Sequence, residues 1–338
     1  MHWVVEALGK VARGYYPALS IEITRECPLQ CPGCYAYGED HLGGAVTLRQ
    51  VRDFQGSALV EGVLGLIRQH KPMHVSIVGG EPLVRYRELN ELLPKMAAMG
   101  IHTQLVTSAV RPIPVEWASI PRLSICVSID GLAPEHDARR KPATYDRILK
   151  HIAGHQITVH CTVTRQQVRR EGYIEEFIQF WSGQSATRRI WTSLYTPQIG
   201  EVSEEQLTPV ERHQVIAALL SLRSKYPKLD MAPSLIEAYA NPPQSPEECA
   251  FAKATLCVSA DLQKQIVPCQ LGGQPDCSNC GCMASAGLTA VARHKLPVGL
   301  SLGTIFDASF KVGAFVRTIR EGSRNGTTSV GASALDLD

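Results

Sequence analysis

The chain has 338 residues, 44% of them hydrophobic, and a formal net charge of +2. That length supports one large domain or two with an ample core. The near-neutral balance gives no electrostatic case for a polyanionic partner, no specific nucleic-acid signal is present, and no apolar stretch reaches the length of a membrane span.

Residues 3 to 13 place Trp3, Val4, Ala7, Leu8 and Val11 on one helical face, which predicts a short helix packed on the body of the protein. The same stretch lacks a continuous apolar run and a small-residue cleavage site, so no signal peptide is expected and a reducing cytoplasm is the expected compartment. Leu19 to Thr24 is the first predicted strand. From Thr47 to Gln69 the apolar residues recur at helical spacing, with a break expected at Gly56. His74 to Val78 is a second strand, running into Gly79-Gly80-Glu81-Pro82, and Tyr86 to Met99 is a helix stopped by Gly100. Further strands are predicted at Ile101 to Thr107, Leu123 to Ile129, Ile157 to Val163 and Arg189 to Leu194, with helices at Tyr145 to Ala153 and Tyr173 to Trp181 between them.

Six strands alternating with helices imply right-handed crossovers and a parallel sheet. The fold class is therefore α/β, a partial (β/α)6 TIM-like barrel over residues 16–200. After Gly200 the alternation stops. A helical linker spans 201–244, a cysteine-rich extension with a closing helix spans 245–321, and a tail rich in Ser, Gly and Thr, residues 322–338, is expected to be disordered.

The eleven cysteines are unevenly placed: three at 27 to 34, six between 249 and 282, and only Cys126 and Cys161 elsewhere. Such clustering points to metal ligation, and the two isolated cysteines read as buried free thiols. Cys27, Cys31 and Cys34 form a C-x3-C-x2-C run in the loop that leaves the first strand. Three thiolates around a four-iron cluster leave the fourth iron without a protein ligand, and that open iron is where chemistry can occur. The competing reading is structural zinc, with His41 near enough in sequence to serve as a fourth ligand.

The cysteine spacing, with Tyr35 behind it and GGEP at the next strand end, resembles the radical S-adenosylmethionine (radical SAM) superfamily over roughly Tyr16 to Tyr195. The resemblance implies an oxidoreductase-like enzyme whose cluster binds S-adenosyl-L-methionine and whose 5′-deoxyadenosyl radical abstracts hydrogen from a substrate. It assigns Gly79, Gly80 and Glu81 to the cofactor's ammonium group, and Ser128 and Asp130 to its carboxylate or ribose. The Ser128 to Gly131 segment, with His136 and Arg139 following, is similar to the fourth-strand end of peptide-modifying members. The aromatic expected just before the third cysteine is replaced by Gly33, so Tyr35 either covers adenine or fills space. A peptide is the implied substrate, with a lipid or small metabolite as the alternative, and a reductant such as flavodoxin or ferredoxin is the implied electron donor. Tyr195, Arg165 and His136 are candidates for a general base, and nothing in the sequence chooses among them.

Cys249, Cys257, Cys269, Cys277, Cys280 and Cys282 form the second group. Cys257-x11-Cys269 and Cys277-x2-Cys280 read as two hooks around a short hairpin at Ile266-Val267, and they are similar to the auxiliary-cluster extensions called SPASM or twitch domains. One auxiliary cluster is expected, held by Cys257, Cys269, Cys277 and Cys280, with zinc the alternative since four thiolates serve both metals. The PCQLGG and PDCSNCGCM stretches also resemble the tail of hopanoid-type members, whose substrates are lipids. A non-catalytic zinc protein is the reading from another class.

Overall fold

Six β-rich segments fall where the alternation of the sequence places them: β1 (Ala18–Glu22), β2 (His74–Val78), β3 (His102–Thr107), β4 (Leu123–Ser128), β5 (Ile157–Val163) and β6 (Thr187–Leu194). The computed structural model describes residues 2–142, 145–297 and 299–328. All of these strands pair in parallel, each with its neighbour in sequence. Helices Gly56–His70, Tyr86–Ala98, Tyr145–His151 and Tyr173–Gly183 cover the outer face.

A parallel sheet buried on both faces ordinarily reads as continuous apolar runs. Here the strands alternate. Leu19, Ile21, Val75, Ile77, Leu105 and Val159 belong to the main core cluster shared with the helices. Between such positions, Ser76, Gln104, Cys126, His160 and Ser193 line a cavity on the concave side. The pleat alone therefore separates a packing face from a polar interior.

The six expected strands of the partial barrel are joined by a seventh. β7 (Thr255–Val258) lies parallel to β1, in register from Ala18 opposite Thr255 to Ile21 opposite Val258. The order is β6-β5-β4-β3-β2-β1-β7, so the barrel is open between β6 and β7. The first cysteine-rich residues thus complete the barrel edge instead of hanging from it. Ile266-Val267, the segment read as a strand, meets β7 through only one isolated bridge, Val258 to Gln265, and a bond from Ile266 N–H to Cys257 O of 2.9 Å.

Two other boundaries differ from expectation. Residues 47–55 are turns, and the helix starts at Gly56, whose φ of +58° a side chain would resist. Leu48 and Val51 instead join Ala36, Leu42, Cys257 and Ile266 in a small separate core beneath the first cysteine loop. The closing helix runs unbroken from Leu302 to Thr328, and residues 329–338 of the tail expected to be disordered lie outside the described ones. Val11 of the first helix (His2–Ala12) packs with Phe306 and Phe310 of that closing helix, the docking its apolar face predicted. Among the described residues no helix is long and apolar enough to cross a membrane.

Candidate functional site

The three cysteines of the first group sit in the loop after β1, all partly exposed, and Cys31 and Cys34 line the concave cavity. Cys27 Sγ accepts a hydrogen bond from Leu29 N–H at 3.4 Å. Burial pushes the Cys27 thiol up to about 12, and the neighbouring Cys31 and Cys34 add to the effect. Thiols so placed become thiolates only when a metal takes the proton's place.

Gly79 and Gly80 serve this loop directly. A Cβ on Gly80 would lie 2.2 Å from Glu26 O and 2.7 Å from the Tyr37 hydroxyl. In its absence Gly80 N–H reaches Thr24 O and Glu81 N–H reaches Glu26 O, each at 2.8 Å, and these bonds strap the cysteine loop to the end of β2. The glycine pair is required by that close approach of two backbones.

His41 is not placed as a metal ligand. Its Nε2 lies 2.9 Å from Glu22 Oε1 and its Nδ1 lies 3.1 Å from Leu271 O, so both ring nitrogens are engaged. Glu22 Oε2 in turn accepts from the Ser259 hydroxyl at 3.1 Å. The fourth ligand that the zinc reading calls for is taken up in a buried carboxylate–imidazole pair. Among the described residues, no three His, Cys, Asp or Glu side chains are drawn together closely enough to surround a single ion.

Glu81 is fully enclosed and accepts from Leu83 N–H at 2.9 Å, the Thr107 hydroxyl at 2.5 Å and Ser108 N–H at 2.7 Å. Burial raises its carboxyl, against the pull of those donors. Asp130 is also enclosed, with Thr162 N–H on one oxygen and Arg139 and Arg140 on the other. Burial pushes its carboxyl up, but the two guanidinium groups and the Thr162 amide outweigh that and hold it well below the usual carboxylate range. Gly79, Gly80, Glu81, Ser128 and Asp130 all stand at strand ends, yet none is on the cavity wall; Tyr35 is. Asp130 instead aims Arg139 and Arg140, which do line the cavity. Arg140 also donates to the Ser108 hydroxyl at 2.8 Å.

The cavity is about 280 Å³. His160 on its wall lies 2.8 Å from Ser193 Oγ, which also accepts Met283 N–H at 3.2 Å. Burial lowers the His160 imidazole to about 4, so the ring is neutral at pH 7 and a weak base there. Of the three acid–base candidates, only Tyr195 reaches this cavity; it donates to Glu201 at 2.5 Å. Arg165 pairs with Glu211 at 3.0 Å, and His136 is enclosed, its Nδ1 accepting Asp130 N–H at 3.1 Å. His160 and Arg140 escaped the sequence reading. The signal for His160 was a polar side chain amid alternating apolar ones in ITVHCTV.

Five cysteines of the second group, Cys249, Cys269, Cys277, Cys280 and Cys282, line a smaller cavity of about 60 Å³. Cys257 is not among them. It lies in β7 and points into the small core with Ala36, Leu42 and Leu48. Its place is taken by Cys249, at the start of helix Ala250–Ala254. The last hook is pinned to β6: Gly281 bonds to Leu194 N–H and Thr196 Oγ1, both at 2.8 Å, and Arg212 Nη1 reaches Asn279 O at 3.2 Å. Cys282, Phe251, Gln270 and Leu271 line both cavities, so the two cysteine groups face each other across a thin partition. All eleven cysteines are free thiols.

The family model of the radical SAM superfamily matches residues 21–164. A PqqA peptide cyclase of Rhizobium meliloti is 30% identical over 121 residues, 35% of this chain and 30% of the relative, and one of Bradyrhizobium diazoefficiens is 36% identical over 94 residues, 28% and 22% of the two chains. This chain thus spans less than a third of the length of the curated relatives it matches. Among solved structures, Streptococcus suis SuiB bound to its precursor peptide SuiA superposes with a TM-score of 0.57 at 16% identity, covering 89% of this chain and 73% of that one. Native anSMEcpe with bound AdoMet gives 0.54 at 15% identity, covering 90% and 97%. At such identities these two structures speak for the fold.

Proposed function

The chain carries a radical SAM domain over residues 21–164, and from that premise we propose that it is an enzyme in which Cys27, Cys31 and Cys34 hold a 4Fe-4S cluster beside S-adenosylmethionine. The bound groups supply reductive cleavage of the sulfonium to a 5′-deoxyadenosyl radical able to take hydrogen from unactivated carbon, with flavodoxin or ferredoxin as the class of electron donor. The observation that carries this reading is one cavity at the strand ends, whose wall brings together Cys31, Cys34, Tyr35, Arg139, Arg140 and His160.

The chain's own residues bind and orient. Arg140, braced by Asp130, offers its guanidinium to the cofactor's carboxylate, a match of planar charge and geometry. Glu81 places a fixed carboxylate just behind the ammonium site at the end of β2, and Tyr35 forms the wall beside the adenine. His160 and Ser193 set a neutral hydrogen-bonding pair on the cavity wall. Four of the five cysteines around the smaller cavity hold one auxiliary cluster, with Cys249 in the place expected of Cys257.

A peptide is the substrate class. PqqA peptide cyclases and the SuiB–SuiA complex support it, and Ser76, Gln104, His160 and Ser193 on the cavity wall offer hydrogen bonds to amide groups. Clusters held by thiolates suit a reducing cytoplasm. Anaerobically purified protein should be brown and carry about eight irons when both clusters are present. With reductant it should release 5′-deoxyadenosine, and Cys31→Ala should abolish the release. Colourless protein with stoichiometric zinc would overturn the reading.

A further inference from the structure

A hollow of about 740 Å³ lies apart from the cysteine-lined cavity. It is a groove between the closing helix, β7 and the Gly14–Tyr16 turn. Tyr16, Gln265, Ala314 and Arg317 line both this groove and an adjoining cavity of about 320 Å³. Ala252 carries the adjoining cavity on to the one around the second cysteine group, which shares Phe251 and Gln270 with the reaction cavity. Neighbouring hollows thus share wall residues from Arg320 to Cys34.

The chemistry of the outer part is one-sided. Arg317, Arg320, Lys311 and Lys253 lie along it, and among the described residues lining it there is no Asp or Glu. Lys253 is the exception to open charge, paired with Asp307 at 2.6 Å. Arg317 stacks 4.8 Å from the Tyr16 ring, and its buried Nη1 has no hydrogen-bond acceptor. Arg320 stacks 4.3 Å from Tyr15 and gives one N–H to Arg13 O at 2.7 Å. Gln69, Gln263 and Gln265 add amide groups suited to a peptide backbone. A carboxylate laid in the groove would meet this row of cationic side chains.

We infer that this groove docks an acidic stretch of the peptide substrate, holding it while a neighbouring residue enters the reaction cavity; the inference rests on the peptide reading above. An extended segment laid along Arg317 and Lys311 is led by the shared walls toward helix Ala250–Ala254. Nucleic acid is the competing anion. The concave wall of glutamine amides and guanidinium-capped tyrosines favours peptide, because it offers no open aromatic face for base stacking.

The test is fluorescence anisotropy at low salt on the full chain, with a fluorescein-labelled Glu-Ala repeat peptide, its Lys-Ala counterpart and a single-stranded oligonucleotide as probes. The Glu-Ala peptide should bind, the Lys-Ala peptide should not, and Arg317→Glu should weaken binding by about tenfold or more. Since Arg317 also packs on Tyr16, the exposed isostere Gln263→Glu provides a second variant, expected to weaken binding by about threefold through like charge alone. Cys31→Ala, which removes cofactor cleavage, should bind the peptide as wild type does, so a failure of the activity and a failure of the groove are separable. No binding of the Glu-Ala peptide, equal binding by both charge variants, or tighter binding of the oligonucleotide overturns the inference.

Discussion

The Tyr35 hydroxyl accepts a hydrogen bond from Gln270 Nε2 at 3.0 Å, joining the residue after Cys34 to the residue after Cys269. Gln270 is held from its other side by the Ser20 hydroxyl at 3.0 Å. Barrel, first cysteine loop and extension thus meet at one amide. Gln270→Leu leaves two hydroxyls without their partner in a largely closed space. The expected loss is about 2 kcal/mol of unfolding free energy, read by urea denaturation of the metal-free protein.

His41 gives a sharper discrimination. With side chains wholly buried, the Glu22–His41 pair cannot be broken cheaply. His41→Ala strands a carboxylate supported only by Ser259, at a cost of about 3 kcal/mol. Its iron content after reconstitution should nevertheless equal that of wild type, because the imidazole is engaged elsewhere. Loss of one metal equivalent with His41→Ala and no change in stability would restore the zinc site.

Gly80→Ala tests the strap between the two backbones. Its Cβ would stand 2.2 Å from Glu26 O, far inside any contact distance, so the cysteine loop must lift from β2. The helices and sheet do not depend on that loop. Far-UV circular dichroism should stay as in wild type, while the irons bound by Cys27, Cys31 and Cys34 are lost.

Much of this was readable in the chain because barrel strands announce themselves locally. Runs such as HVSIV and ITVHCTV alternate, and the motif residues fall at their ends. What stayed hidden depended on partners distant in sequence. β7 is four residues long and becomes a strand only by pairing with β1, some 237 residues earlier as Ser20 faces Cys257. Cys249 and Cys257 have the same side chain, and only the pleat of β7 turns one into a small core while the helix start turns the other to the cavity. Asp130, read as a cofactor contact, is instead enclosed and paired with Arg140, which follows it by ten residues and lines the cavity.

His160 has a consequence for pH. Its folded pKa of about 4 lies below the ordinary 6.5, so the unfolded chain takes up the proton first as pH falls. Stability contributed by the neutral ring is complete above the ordinary value and declines from pH 6.5 toward 4. His160→Gln keeps the bond to Ser193 and cannot titrate. Wild type should lose stability relative to this variant between pH 7 and 5, as read by parallel urea titrations; identical pH dependence would mean the ring is open to water.

The second cysteine group yields the last prediction. Five thiols surround the smaller cavity and Cys257 is not one of them, being packed against Ala36 and Leu48. Burial pushes the Cys257 thiol up to about 12, as it does the Cys269 thiol on the cavity wall, so its place in the small core and not its pKa sets it apart. Cys257→Ser should therefore retain the auxiliary irons, with a modest loss of stability from a hydroxyl placed in an apolar core. Cys249→Ser removes a soft thiolate donor from the cavity wall and should lower iron and sulfide by about four equivalents each while sparing the cluster of Cys27, Cys31 and Cys34. Iron and sulfide analysis of the two variants, side by side, decides between the hook expected from spacing and the wall formed by the fold. The reverse pattern, with irons lost on Cys257→Ser and kept on Cys249→Ser, would require β7 to unpair from β1 when metal binds.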